Sequence, residues 1–410
     1  MSSFRCIRSV SVIGAGLMGR SIAALNVDRG RPVKISDLRS DVLDDALAML
    51  RSRTAHDRGI PSPHLLHGAA NESQIGACKD PAELAKADLI VETIAEKLEI
   101  KRRLFSDLAP HLGPRTIVAT NTSSIPLDRM ADCLPHRERF CGLHFFHPVE
   151  RRPLVEVIRG PATSDETLAA AVDYATALGR RPVVVKDRPG FVVNRVLVPY
   201  LNEALELILE GAAVDDVERA AVAFGMPLGP LRLLDEIGID VAVRTGMVAY
   251  LAFPDRVVPS PLLIAMYKAD RLGRKSGGGF FPASIEYCGA TGNRLSPQAA
   301  ALIRRHRRAL QRFSPEEITR RLFLPPLLEA TRILEERLVA EPEDVDAALR
   351  DGLGFLPSAE GLLRWADCVG AGTILEWLRP LQALGPRFEP TALLSEAARQ
   401  SCGLSESWGY

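Results

Sequence analysis

The sequence predicts an α/β, doubly wound N-terminal domain followed by two copies of an all-α module. Three observations carry this. A β-branched run, Val10 to Ile13, passes through a glycine-rich turn into a helical pattern. Strand-like and helix-like segments then alternate to about residue 186. From Asp187 helical periodicity dominates, and "RVLVPYLNEA" at 195–204 returns as "RLFLPPLLEA" at 321–330, an offset of 126. The domains therefore read as 1–186, 187–290, a linker at 291–315, and 316–410.

The first element is the strand in "RSVSVIGAGLMGRSIAALNVDRG". Gly14, Gly16 and Gly19 lie between it and a helix, the setting in which a GxGxxG turn binds a dinucleotide. Gly14 permits the tight turn, Gly16 lets backbone approach a pyrophosphate, and Gly19 allows close helix–strand packing. The unpaired N–H groups of the helix N-terminus then face the phosphates. A second strand in "RPVKISD" ends at Asp37, placed to accept hydrogen bonds from the adenosine ribose and to repel a 2′-phosphate. NAD is favoured over NADP, with Arg39 as a mild counter-signal. This makes the N-terminal domain Rossmann-type.

"ADLIVET" and "RTIVATN" read as buried parallel strands, with "RFCGLHFF", "PLVEVI" and "PVVVK" as later ones and a helix over 96–109. "TNTSS", residues 120–124, and His144 fall at strand carboxyl ends, where such sheets bind ligands. One stretch, "HFFHPVERRPLVEVIRG" at 144–160, has the texture of two core strands yet carries His144 and Glu156. A buried histidine and a buried carboxylate are expected to be partners, since either charge alone is costly there.

After Asp187 a Pro-Gly turn leads into a long helix. The repeat extends beyond the matched decapeptides. "VDDVERA" resembles "PEDVDAA", and "LLDEIG" resembles "LLRWADCVG". Two copies can pack face to face as a symmetric dimer would. That predicts a monomer completed by an internal pseudo-dimer, with a homodimer as the alternative.

With 410 residues, zero formal net charge and 47% hydrophobic content, the chain reads as globular, not disordered. Zero charge argues against nucleic acid or a membrane surface as partner. "RRHRRALQR" at 304–312 reads as a solvated helix face. Seven dispersed cysteines without a CxxC pair indicate a reduced intracellular protein without disulfides or zinc. "HLLH" at 64–67 lacks an acidic or cysteine partner nearby, so no metal is expected. With no signal-peptide region and no membrane-length apolar run, a cytoplasmic location is expected.

Taken with "GAGLMG", "VETIAEKLEIK", "NTSS", "DRPGFVVNR", "FGMPLGPLRLLDEIG" and "GRKSGGGFF", the chain resembles the L-3-hydroxyacyl-CoA dehydrogenase family nearly end to end. It is most similar to the dehydrogenase part of multifunctional β-oxidation enzymes, without their hydratase domain. The resemblance implies NAD-dependent interconversion of (3S)-3-hydroxyacyl-CoA and 3-oxoacyl-CoA. It implies that His144 is the catalytic base and Glu156 its partner. Ser123 would donate to the substrate oxygen, and Asn194 would bond the thioester side. Cofactor contacts carry over to Gly14, Gly16, Leu17, Met18, Gly19, Asp37, Glu96, Lys101, Asn121, His147 and Lys275, with the helical domain closing over the NAD cleft. His147 stands where the family commonly has asparagine. Residues 51–80 diverge from the family's CoA-contacting helices, leaving Arg53 and Arg58 as phosphate candidates. That divergence motivates acyl carrier protein as an alternative carrier. A non-catalytic subunit of a β-oxidation assembly is a further alternative.

Overall fold

The computed structural model describes residues 6–56, 75–283, 294–357 and 360–408. The chain divides into two units, Met1–Arg188 and Pro189–Tyr410. The "HLLH" histidines and Arg58 lie outside the described residues.

The first unit runs β1 (Val10–Ile13), α1 (Leu17–Val27), β2 (Val33–Ser36), α2 (Ser40–His56), β3 (Ile75–Ala77), α3 (Pro81–Leu84), β4 (Leu89–Glu92) and α4 (Leu98–Leu108). It continues with β5 (Ile117–Thr120), α5 (Asp128–Ala131), β6 (Phe140–Phe145), β7 (Leu154–Arg159), α6 (Asp165–Ala177) and β8 (Arg181–Lys186). The sheet order is β3-β2-β1-β4-β5-β6-β7-β8, and it reverses direction between β1 and β4. Ligands bind at such a switch point, beyond the strand carboxyl ends. Every residue of β1, β4, β5 and β6 is buried. Strands covered on both faces need continuous apolar runs, which is why these segments lack alternation.

One strand pair departs from the parallel pattern. β7 runs antiparallel to β6, with His144 directly opposite Glu156. Residues 146–153 alone separate the two strands, too few for the crossover a parallel neighbour requires.

The second unit is helical. Its first copy comprises α7 (Val193–Glu210), α8 (Val214–Phe224), α9 (Pro230–Ile237) and α10 (Ile239–Ala252), followed by α11 (Pro261–Lys268). The stretch read as a linker carries a helix, α12 (Pro297–His306). Its tail lies on the last turn of α7, where Arg308 N–H donates to Leu209 O at 2.7 Å and Gln311 N–H to Glu210 O at 2.9 Å. The second copy comprises α13 (Pro315–Glu335), α14 (Pro342–Leu353), α15 (Leu362–Val369) and α16 (Ala371–Leu378), with α17 (Ala392–Gln400) and α18 (Leu404–Trp408) closing the chain.

The copies are joined by a reciprocal ion-pair network between α7 and α13. Arg195 donates to Glu329 at 2.9 Å and to Glu336 at 2.7 Å. Arg321 pairs with Glu203 and donates to Glu210 at 2.9 Å. Each residue in one pair lies 126 positions from its counterpart in the other, so the contact has the self-complementary form of a two-fold interface. Burial raises the cost of charge on Glu329, yet Arg256, Arg195 and Arg332 outweigh it and hold the carboxyl below its ordinary range. Aromatic rings also bridge the copies: Phe224 stacks on Phe323 at 3.9 Å, and Phe323 on Tyr200 and Phe355 at 5.5 Å each. Among the described residues, no helix is long and apolar enough to cross a membrane.

The copies also share a helix-starting device. Glu218 accepts from Leu231 N at 2.8 Å at the start of α9, and Asp346 accepts from Leu363 N at 2.9 Å near the start of α15. Burial pushes Glu218 up to about 7 and Asp346 to about 6.

Two predictions follow from this packing. Arg321→Met leaves Glu203 and Glu210 short of a counter-charge, so denaturant unfolding should report a loss of about 3–5 kcal/mol. A variant within about 1 kcal/mol of wild type would show that the network adds nothing at its centre. The second concerns pH. A carboxyl raised from 4.5 to about 7 holds its proton more tightly in the folded state. Its stabilising contribution is therefore full below about pH 4.5 and lost as pH rises through about 7. Wild type should lose melting temperature relative to Glu218→Gln between pH 5 and pH 8. Parallel curves across that range would exclude Glu218 as the group responsible.

Candidate active site

The turn after β1 is built as its glycines require. Gly14 has φ +105°, and a side chain there would meet Thr93 at 2.8 Å. A Cβ on Gly19 would lie 1.7 Å from Gly14 O. Around Gly16 there is open space within 4 Å, and this residue begins α1 without a capping side chain. An uncapped helix end beside open space is what a bound pyrophosphate needs. Leu17 is half-exposed and Met18 partly buried on the same turn. Asp37 follows β2 directly, and its carboxylate accepts from Ala15 N at 2.8 Å and Arg39 N at 2.9 Å. These residues fit NAD.

His144 and Glu156 meet. The antiparallel register puts both side chains on one face, and His144 Nδ1 lies 2.7 Å from Glu156 Oε2. Glu156 is fully buried and His144 is 6% exposed. A carboxylate only accepts, so Nδ1–H is the donor, and Nε2 becomes the basic nitrogen. Phe146 packs edge-on against the imidazole at 4.4 Å between centroids.

Ser123 lies on the turn after β5, the strand beside β6. Asn121 ties these neighbours together, because its side-chain oxygen accepts from Phe145 N at 2.9 Å, one residue past His144. The serine turn is gathered onto Glu96, which accepts from the Thr122 hydroxyl at 2.6 Å, Ser123 N at 3.0 Å and the Ser124 hydroxyl at 3.0 Å. Burial works against the Glu96 charge, but the Lys101 ammonium and the Thr122 hydroxyl outweigh it and lower the pKa. Lys101 itself is 1% exposed and bonded to Glu92. On the far side of the turn, Asp187 accepts from Leu127 N at 2.7 Å, and burial pushes its carboxyl up to about 6.

Other expected residues lie elsewhere. His147 is exposed beyond β6. Arg53 donates to Asp28 at 2.7 Å. Asn194 and Lys275 belong to the second unit. Asn194 is the second residue of α7, whose cap position is Val192. Lys275 forms an ion pair with Asp240, which it holds below the ordinary range against the effect of burial. Glu92 was not among the residues expected from sequence, whereas Thr120 and Thr122 belong to the "TNTSS" segment that was. The signal for Glu92 was available, since it is a charged residue closing an apolar strand, as Glu156 is within another.

Comparisons with known proteins identify the family. A family profile described as "3-hydroxyacyl-CoA dehydrogenase, NAD binding domain" matches residues 9–188. Its companion, "3-hydroxyacyl-CoA dehydrogenase, C-terminal domain", matches twice, at 190–282 and 318–402. The solved 3-hydroxybutyryl-CoA dehydrogenase from Escherichia coli K12 is 27% identical with a TM-score of 0.82, over 97% of this chain and 99% of that one. (S)-3-Hydroxybutyryl-CoA dehydrogenase from Ralstonia eutropha is 32% identical with a TM-score of 0.59, over 67% of this chain and 98% of its own. The dehydrogenase part of a multifunctional enzyme from C. elegans shares the fold at 23% identity and a TM-score of 0.62, over 95% of this chain and 89% of its own. The NAD-binding profile over 9–188 and the C-terminal profile over 190–282 and 318–402 thus place the chain in the 3-hydroxyacyl-CoA dehydrogenase family, as an NAD-binding oxidoreductase.

Proposed function

We propose that the protein oxidises (3S)-3-hydroxyacyl-CoA to 3-oxoacyl-CoA, reversibly, with His144 as general base. The observation that carries this is the 2.7 Å contact between His144 Nδ1 and Glu156. It turns Nε2 into the proton acceptor and offers a carboxylate to stabilise the imidazolium that forms. NAD, when bound, supplies the hydride acceptor for C3 of the acyl chain. His144 takes the hydroxyl proton in oxidation and returns it in reduction. Ser123 donates a hydrogen bond to the reacting oxygen, and Asn194 orients the thioester. Gly14, Gly16, Leu17, Met18, Gly19 and Asp37 hold the dinucleotide, with Asn121, His147 and Lys275 as further contacts. Six described cysteines are unpaired, which supports a reducing compartment, the cytoplasm.

The same chemistry on a carrier protein is the second reading. It draws support from Arg304, Arg305 and Arg307, exposed together at the end of α12, where an acidic partner would find opposite charge.

The first test mixes protein, acetoacetyl-CoA and NADH and follows loss of NADH absorbance. Wild type should turn over, and His144→Ala should lose about 10²–10⁴-fold in kcat with NADH affinity retained. Undiminished turnover in His144→Ala would remove it as the base. NADH binding without turnover in wild type would count against this substrate and favour the carrier-protein reading. A further proposal concerns assembly. The reciprocal α7–α13 contact occupies internally the kind of face that a two-fold dimer would use, so light scattering should find a monomer. A concentration-independent dimer would refute this.

A further inference from the structure

We propose that Asp235 is a positioning residue: it latches the glycine-rich loop 269–279 onto α9 and thereby places Lys275 for the cofactor. The inference rests on the reading of Lys275 as a cofactor contact. Asp235 sits on α9 and is buried. One carboxylate oxygen accepts from Phe280 N at 2.8 Å and the other from Phe281 N at 2.8 Å. The loop that ends there closes against the same residue. A Cβ on Gly279 would lie 1.9 Å from Asp235 Oδ1, and one on Gly273, at φ +97°, 2.3 Å from Asp235 O. Only glycine allows both approaches. Beyond the latch Phe280 is fully buried, and its carbonyl accepts from Ser296 N at 2.8 Å. The loop therefore ends on a fixed point.

The second copy allows a comparison within one chain. Asp367 is the counterpart of Asp235, 132 positions on, and α17 ends at Gln400 the same distance from Lys268, where α11 ends. Asp367 accepts from Leu404 N at 2.6 Å. The latch is kept in both copies, but in the second it closes only residues 401–403, where the first holds 269–279. The additional residues include Arg271, Arg274 and Lys275. Lys275 crosses the α9–α10 junction to pair with Asp240. A Cβ on Gly238, at that junction, would meet its Nζ at 2.8 Å. The matching Gly370 has open space within 4 Å, and Gly372 stands where Asp240 does. Packing explains a device that both copies share. The cation held by it belongs to the first copy alone. The Lys275 side chain is half-exposed, so its ammonium can meet an anionic ligand while its backbone is already placed. Such preorganisation strengthens binding by cutting the cost of ordering the loop.

The test is a double-mutant cycle on NADH Kd, read by fluorescence titration at about pH 8. Burial pushes the Asp235 carboxyl up to about 6, so it is ionised there. Asp235→Asn keeps one acceptor and turns an amide N–H toward the second backbone N–H. It should weaken NADH binding about tenfold in the wild-type background and less than about twofold in the Lys275→Ala background. Hydrogen exchange at the Ser276 and Gly277 amides, neither of which bonds Asp235, should rise about tenfold. Asp367→Asn opens the matching latch and should lower stability while NADH Kd stays within about twofold. Asp235→Glu keeps the charge and both acceptors but displaces the loop. It replaces the amide variant in the cycle if that variant does not fold, with a weakening of about threefold or more expected. Equal weakening by Asp235→Asn in both backgrounds, or by Asp367→Asn, would make the latch merely structural and overturn the proposal. Unaltered binding in Asp235→Asn beside weakened binding in Lys275→Ala would reject the latch alone. Lys275→Ala binding NADH as wild type does would reject the cofactor reading of Lys275, and the positioning role with it.

Discussion

A carboxylate taken out of water must be met by donors, and this constraint shapes both units. Glu92, Glu156, Glu203 and Glu329 are each at most 4% exposed. Each is met by charged or titratable partners: Lys101, His144, Arg321 with Arg387, and Arg195 with Arg256. Because one partner alone would leave an unpaired buried charge, the members of each set must be placed together. In the first unit the requirement shapes a site. In the second it aligns two copies of one module.

The parts legible from sequence are those that a single residue type enforces locally. The Gly14–Gly19 turn could be read because a Cβ at either end would collide with neighbouring atoms. The strands could be read because burial on both faces leaves no room for polar alternation. His144 and Glu156 stood out because each interrupts an apolar strand. Glu92 gives a weaker form of that signal, since it closes "LIVE" where a polar residue is ordinary. Lys101 was hidden further. It lies on α4 beside Arg102 and Arg103, and only its helical spacing from Phe105 and Leu108, with which it shares the buried face, distinguishes it. Its burial is set by Glu92, on a different element.

The duplication was legible as an offset of 126, but its pairing was not. Sequence places Arg195 and Glu203 on one helix at a spacing of eight, and Arg321 and Glu329 likewise. The structure exchanges the partners, so that each arginine finds the glutamate of the other copy. Only the antiparallel crossing of helices decides this. The copies have also diverged where chemistry would be expected. The position matching Asn194 is Arg320, which lies over the Trp377 ring at 4.6 Å. Packing residues have been kept and the polar residue at the helix start has not, which fits a second copy retained for the interface it supplies.

The reversed strand ties fold to chemistry. In a parallel pair, β7 would return through a crossover, and the side chain facing His144 would depend on its length and register. The short 146–153 connection forces β7 antiparallel, and the register then sets Glu156 opposite His144 by backbone pairing alone. β8 pairs with β7 on its other edge and Asn121 bonds the Phe145 amide, so the pair is held from both sides. Slipping by one residue would turn Glu156 to the opposite face of the sheet. The geometry of the proposed base is therefore enforced by the hydrogen-bond ladder of the core, not by a loop. That ladder can hold a proton acceptor steady at a site where the turn on the neighbouring strand is itself pinned by buried charge.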